Sequence, residues 1–491
     1  MIRLTALYLF GFGLAAYAWR DWFKALCGLI LMMAVIQHPD MPKSLFGIQG
    51  LNLWNVVLLS VVLAWLRARK DEGLRWDLSR AVTVTFLLYM SVVVVSFLRL
   101  LPQRHLLPDD YNLSSIVSEY FINCLKWVVP GVLLFDGCRS RDRFNWAVAC
   151  TLGVYVLLAI QVIKWMPIDY ALSGDQLEAR SGKILTREVG YHRVNLSMML
   201  AGASWALFSA RTLLRGFWPV LGVAALSGMA LFAQSLTAGR TGYATWAVVG
   251  LLLCGLRWRR YLLLAPVAAF VIVMAVPGAF ERFTQGFGKA DELQGEAAVD
   301  QYAVTSGRNL IWPYVIAKIG ERPLVGYGRL AMKTTGLQAF LWDEMREAFP
   351  HPHNAYLELL LDNGWLGALL VLPFYLVVLK MSFSLFMDSR SPVFVAAGGM
   401  TLALVLALLT AALGSQTFYP REGSVGMWCA IGLLFRVDRE RARALAFQRE
   451  TVEPPAARRR APRPLHGVAA RPEPKPAPAP VLDDLLWARA S

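Results

Sequence analysis

Residues 51–70 read LNLWNVVLLSVVLAWLRARK, apolar from Leu51 to Leu66 except at Asn52, Asn55 and Ser60, and closed by Arg67-Ala-Arg69-Lys70. A run of this length approaches the roughly 20 apolar residues that cross a bilayer as a helix, so its solvent is lipid. The basic closure orients it, because Lys and Arg in short loops stay on the cytoplasmic side.

The same unit recurs along all 491 residues. Apolar runs cover 4–18, 22–37, 51–66, 81–98, 116–135, 145–163, 194–210, 216–233, 241–256, 260–276, 365–385, 392–413 and 424–436. The chain is 56% hydrophobic and only 17% charged, with a mean hydropathy of +0.46, too apolar for a soluble protein of this length. The fold expected is all-α, a polytopic membrane protein of about 12 transmembrane helices with one large periplasmic loop. Leu4 to Ala18 follows Arg3, lacks a small-residue cleavage site and runs into a second apolar segment at Trp22, so it reads as a retained helix.

The formal charge of +15 comes mainly from short loops and from the tail after Phe435. Alternation of the spans puts Arg67–Lys70, Cys138–Arg143, Arg211–Arg215 and Arg257–Arg260 on one side, the cytoplasm, and no nucleic acid is needed to explain them. Cys27, Cys124, Cys138, Cys150, Cys254 and Cys429 lie in or beside apolar runs without CxxC spacing, which argues against a disulfide framework or a zinc site. The organisation expected is transmembrane helices over 1–276, a periplasmic loop with amphipathic helices over 277–364, further transmembrane helices over 365–436, and a disordered, basic Pro/Ala/Arg-rich cytoplasmic tail over 437–491. Within the loop, Ser306 is the expected N-cap of a helix reaching Ile319, with Pro313 near its start.

Charges at the membrane edge need a reason, because one at a helix centre costs about 2.5–3.5 kcal/mol. His351-Pro-His353-Asn354 ends the long loop and opens into the mostly apolar Ala355–Leu361. A histidine there can take a proton from a hydroxyl or hold a phosphate. His353-Asn354 is followed after nine residues by Gly364-Trp-Leu-Gly367, the pattern H-[NSQ]-X9-G-X-X-G.

That pattern resembles the one found in the O-antigen ligase and polymerase superfamily of the bacterial envelope, most closely the ligases. The order of parts agrees: many helices, one large late outer loop, then the His-Asn motif leading into a helix. Leu236-Thr-Ala-Gly239-Arg240-Thr-Gly242 is similar to the superfamily's Thr/Ser-Arg-Gly turn, and Ser306-Gly-Arg308 with Trp312 to its Ser-Gly-Arg segment, followed by Pro323–Gly328. An arginine forks onto two phosphate oxygens and glycine lets backbone approach a ligand, although an arginine at a helix end also snorkels without any ligand.

The resemblance implies a glycosyltransferase, of ligase type, in the bacterial inner membrane, with its active site on the periplasmic side. Its donor would be an undecaprenyl-diphosphate-linked glycan and its acceptor a lipid A-core sugar hydroxyl, in lipopolysaccharide biosynthesis. His353 is expected as the base, with Arg240 and Arg308 binding the diphosphate. Asn354, His351, Tyr356, Arg193, Gly239, Ser306 and Trp312 are the expected substrate-binding residues. The outer loops offer Asp109-Asp110 but no DxD or HExxH arrangement, so the chemistry expected is metal-independent and without cofactor. The same motifs also suit a polysaccharide polymerase or a protein O-oligosaccharyltransferase. A glycan flippase or transporter is the non-enzymatic alternative, against which stands the lack of an inverted repeat.

Overall fold

The computed structural model describes residues 2–45, 47–167, 177–278, 280, 308–346, 349–452 and 486–487. Each of the apolar runs falls on helical structure. In chain order the helices are α1 (Ile2–Tyr17), α2 (Trp22–Leu31), α3 (Leu53–Asp71), α4 (Arg80–Leu100), α5 (Leu113–Val117), α6 (Asn123–Lys126), α7 (Val129–Gly137), α8 (Arg141–Trp165), α9 (Leu177–Glu188) and α10 (Arg193–Ala210). They continue with α11 (Phe217–Leu236), α12 (Arg240–Leu256), α13 (Ala265–Ala275), α14 (Arg308–Glu321), α15 (Ala331–Thr334), α16 (Leu337–Met345), α17 (Ala355–Met387), α18 (Pro392–Ala411) and α19 (Val425–Val452). The strand content among the described residues is one two-residue antiparallel pair, Ser44–Leu45 with Ile48–Gln49.

Six described stretches are long and apolar enough to cross a membrane: Arg80–Leu106, Leu113–Gly137, Arg141–Trp165, Phe217–Leu236, Ala355–Met387 and Pro392–Ala411. Leu4–Tyr17, Trp22–Ala34 and Arg240–Leu256 are shorter apolar helices. The protein is therefore an all-α, multi-pass membrane protein.

Small residues let the helices close on one another, as packing in lipid requires. α18 is the most enclosed of the six spans and packs along α10, where a Cβ on Gly202 would lie 2.8 Å from Ala407 Cβ and one on Gly399 2.7 Å from Ser209 Oγ. α7 crosses α19 at Gly131 and Gly432, each backbone against backbone. The fifth apolar run is interrupted at Trp127-Val128, just ahead of Pro130-Gly131, and the span α5–α6 additionally carries a π-helical turn over Ser118–Ile122.

The basic loops assigned to one side meet one another there. Arg69 bonds Asp136 at 3.1 Å, Arg139 bonds Asp77 at 3.4 Å, and Arg436 donates from Nη2 to Asp77 at 2.9 Å. Arg436 is fully buried in this network. It also explains a departure from the expected tail. α19 does not stop at residue 436 but runs to Val452, because Glu440 and Arg443 continue the ion-pair ladder to Arg436 and Asp77, while Arg441 reaches Asp388 at 2.9 Å. Residues 453–485, the bulk of the expected disordered tail, lie outside the described residues.

Candidate functional site

At the other end of the bundle the structure turns on an interruption in α17. Gly364 has φ 64° and ψ −168°, so two helices meet there rather than one running through. Residues 323–328 lie along the break. Trp365 N–H donates to the Pro323 carbonyl at 2.8 Å and Leu366 N–H to Leu324 at 3.0 Å, while Tyr327 N–H donates to Leu361 at 3.0 Å and Gly328 N–H to Asp362 at 2.7 Å. Backbone groups orphaned by the break are thereby satisfied. A Cβ on Gly364 would lie 2.3 Å from the Leu324 carbonyl carbon and one on Gly326 2.5 Å from the Leu361 oxygen. Gly364 of the motif and Gly326 of the loop thus serve docking, whereas a Cβ on Gly367 would meet Asn363 and Val92. Arg99, at the end of α4, clamps the same segment through the Val325 carbonyl at 2.5 Å and the Gly326 carbonyl at 2.7 Å.

The docked loop has its own small core. Ile311, Val315 and Ile319, one face of α14, pack with Tyr327, Met332, Leu341, Phe349 and Leu361. Pro313 sits inside α14 near its start, as expected, whereas Ser306 and Gly307 lie outside the described residues.

The His351–Asn354 turn is held from three sides. Trp312 Nε1 donates to the Pro352 carbonyl at 3.0 Å, Asn354 Oδ1 caps α17 by accepting from Tyr356 N–H at 3.0 Å and Leu357 N–H at 3.2 Å, and Ala355 N–H donates to the Ala412 carbonyl at 2.7 Å. Tyr356 directs its hydroxyl to the Leu409 carbonyl at 2.9 Å. Three residues expected to touch substrate thus build the turn. His353 sits in the left-handed region, φ 52°, with its N–H donating to His351 Nδ1 at 3.2 Å and the two ring centroids 4.1 Å apart.

Residues from two other segments, Arg308 and His192, lie within electrostatic reach of His353. Burial, then His351, Arg308 and His192, push its pKa down to about 3. Burial and the Arg193 charge lower that of Arg308. Arg240, first residue of α12, lies within electrostatic reach of Arg308, Arg193 and Glu178. Arg193 pairs with Glu178 and donates from Nη1 to the Ala238 carbonyl at 2.9 Å. Gly239 and Gly242 are explained by packing, since a Cβ on either would collide with Ser197 of α10. Among the described residues Arg308 makes no hydrogen bond through its guanidinium.

A second feature adjoins the turn: a cavity of about 670 Å³ lined by His351 and Pro352 but not by His353, Arg193, Arg240 or Arg308. One wall holds an ion cluster that the sequence motifs do not include. Arg329 donates from Nη1 to Glu358 at 3.1 Å and to Asp362 at 3.5 Å, and its guanidinium carbon stands 3.4 Å from the centroid of the Tyr419 ring. Tyr419 in turn donates to Asp362 at 3.0 Å and receives Asn363 Nδ2 at 2.7 Å. Burial opposes the Arg329 charge, but Glu358, Tyr419 and Asp362 outweigh it and hold its pKa above the ordinary value. Glu358 and Asp362, four apart in an apolar helix, are the sequence signal that points to this cluster. Glu119 and Lys126 also line the cavity.

Comparison with known proteins bears on the same region. Residues 223–372, which span Arg240, Arg308, the docked loop and the His-Asn motif, match the family described as O-antigen ligase. Over 349 residues the chain is 21% identical to a general O-oligosaccharyltransferase of Acinetobacter baylyi (strain ATCC 33305 / BD413 / ADP1), a match covering 64% of this chain. The chain spans 59% of the length of that relative.

Proposed function

We propose, from the match of residues 223–372 to the O-antigen ligase family and the likeness to an O-oligosaccharyltransferase, that this membrane protein is a glycosyltransferase of O-antigen ligase type. It moves a glycan from undecaprenyl diphosphate to a sugar hydroxyl of the lipid A core, at the periplasmic face of the bacterial inner membrane. The observation that carries this reading is that Arg308 lies within electrostatic reach of His353, of Arg193 and of Arg240, which come from distant segments.

The arginines bind the diphosphate, and their charge stabilises it as the bond from sugar C1 to oxygen breaks. His353 is uncharged at neutral pH and can accept the acceptor hydroxyl's proton. A bound diphosphate beside Arg308 offsets the surrounding positive charge and raises the basicity of His353, so the base gains strength when the donor is in place. The positive-inside rule assigns the basic helix ends to the cytoplasmic side, which supports a periplasmic position for this site. No step in this scheme calls on a metal ion.

A protein serine or threonine as acceptor is the second reading, favoured by the likeness to an O-oligosaccharyltransferase. The test is purified protein in detergent with a defined undecaprenyl-diphosphate-linked donor and rough-form lipopolysaccharide. Transfer to the core supports the ligase. Transfer to a serine-containing peptide alone moves the assignment to the second reading, and absence of any product with the donor intact refutes transferase function in favour of a flippase or transporter.

A further inference from the structure

We propose that the 670 Å³ cavity behind His351 is the acceptor subsite, and that it takes the hydroxyl-rich end of a carbohydrate rather than a polypeptide. This rests on the reading of His353 and the arginines as the donor side.

The first argument is geometric. Displacement at a sugar C1 brings the nucleophile in from the face opposite the leaving group. The acceptor oxygen bonds to C1, the bond from C1 to the diphosphate oxygen breaks with its electron pair leaving on the diphosphate, and the acceptor's proton passes to His353. With the diphosphate at the arginines, the acceptor needs a space beside the His351-Pro352-His353 turn that those arginines do not line. The cavity is such a space, lined by His351 and Pro352 but by none of Arg193, Arg240 and Arg308. His351 lines it, and the His351 and His353 rings are 4.1 Å apart, so a hydroxyl at the cavity's His351 end lies within reach of the base.

The second argument is chemical. The wall alternates acceptors and donors: Glu119 and Glu422 with Lys126 and Arg421. Glu422 lies within electrostatic reach of both Glu119 and Lys126, so the four belong to one surface. Every sugar hydroxyl both donates and accepts, and a wall of carboxylates, ammonium and guanidinium satisfies a crowd of them, where an extended peptide would present its apolar side chains. The volume falls within the about 300–1,000 Å³ of small-molecule sites.

Two further observations point to a ligand. Arg329 lines the cavity, is only 8% exposed, and its Nε has no hydrogen-bond partner. Glu119 lies in the π-helical turn Ser118–Ile122, a rare distortion that recurs at functional sites.

The test separates binding from transfer. Core oligosaccharide released from rough-form lipopolysaccharide is titrated into the full-length protein in detergent, followed by isothermal titration calorimetry. Transfer is measured with the lipid-linked donor. The double variant Glu119→Gln/Glu422→Gln keeps the shape and removes both charges. It is expected to weaken oligosaccharide binding and raise the acceptor KM by about tenfold or more, as befits the loss of two charge-assisted hydrogen bonds. Its donor KM and undecaprenyl-diphosphate affinity should stay within about twofold of wild type, which also certifies the fold. Lys126→Gln should act in the same direction.

Wild-type acceptor binding in these variants overturns the subsite, as does a donor affinity that falls in step with acceptor binding. A wild-type protein that ignores core oligosaccharide but glycosylates a serine peptide overturns the choice of carbohydrate. If wild type binds the oligosaccharide but transfers nothing, the subsite stands and the transferase reading fails.

Discussion

The N–H of His353 donates to Nδ1 of His351 at 3.2 Å, so the ring nitrogen that accepts cannot carry a proton and His351 is neutral in this turn. Burial first, then Arg421, Arg329 and Arg308, lower the pKa of His351 against the opposing pull of Glu358. The bond supports His353 in a left-handed conformation that few side chains adopt without cost.

This geometry dictates how His353 should be replaced. Asparagine adopts φ near +52° more readily than alanine, so His353→Asn is expected to keep thermal stability while removing the base. Transfer should fall by about 10²–10⁴-fold, the usual worth of general base catalysis. A variant with normal thermal stability and wild-type turnover would show that no proton passes through this imidazole.

The pH dependence has a definite sign. In the free protein His353 has a pKa of about 3, so it does not titrate near neutrality. Bound diphosphate raises that value. The acid limb of kcat, which reports the loaded enzyme, is therefore expected at higher pH than the acid limb of kcat/KM, which reports the free one. Coincident limbs, or a kcat limb that survives in His353→Asn, would contradict donor-dependent activation of the base.

The helices and the site differ in how far they could be read from the chain. Hydropathy and basic loops locate the apolar helices, because burial in lipid is a local property of composition, but not α9, α15 or α16, which lie in the segments between them. Arg240, Arg308 and His353 are singled out by motif and Arg193 as a loop cation, and in the structure Arg308 lies within electrostatic reach of the other three. The break at Gly364 is different. Its φ and ψ are set by residues 323–328 crossing α17, a contact between segments some distance apart in sequence. Asn354, Tyr356 and Trp312 look like ligand contacts in a one-dimensional reading, and their hydrogen bonds to Leu357, Leu409 and Pro352 emerge only in three dimensions.

Gly364→Ala tests that break. A residue with a Cβ at φ 64° and ψ −168° carries about 1–3 kcal/mol of strain, and the 2.3 Å approach to Leu324 adds a collision. The variant is expected to lose thermal stability and to release the docked loop to proteolysis. Gly228→Ala, in a helical position with nothing within 4 Å, should match wild type or exceed it. Equal melting of the two variants would mean that the interruption is not required.

Arg308→Lys keeps one charge and discards the fork. Arg308 makes no hydrogen bond among the described residues and is held beside Arg193 against electrostatic repulsion. Its loss should therefore cost little stability, while the donor KM rises by about tenfold if the guanidinium spans two phosphate oxygens. Donor KM unchanged in the lysine variant would remove bidentate phosphate binding from the mechanism.

Arg329 makes the opposite prediction, because its charge is compensated by Glu358 and Asp362 rather than opposed. Truncating one partner of a buried ion pair typically costs about 3–5 kcal/mol, since the remaining charges lose their partner in place. Arg329→Met leaves Glu358 and Asp362 facing each other beside Tyr419 and should lower thermal stability sharply. Adding Glu358→Gln and Asp362→Asn removes the stranded charges, so the triple variant should recover much of the loss, as neutral replacements of buried ion groups often do. Recovery of stability without recovery of acceptor binding would assign the Arg329 cation to the cavity as well as to the fold. Failure to recover stability would mean instead that the cluster is held by its hydrogen bonds to Ala331 and Tyr419 more than by charge, since Asp362 accepts from both.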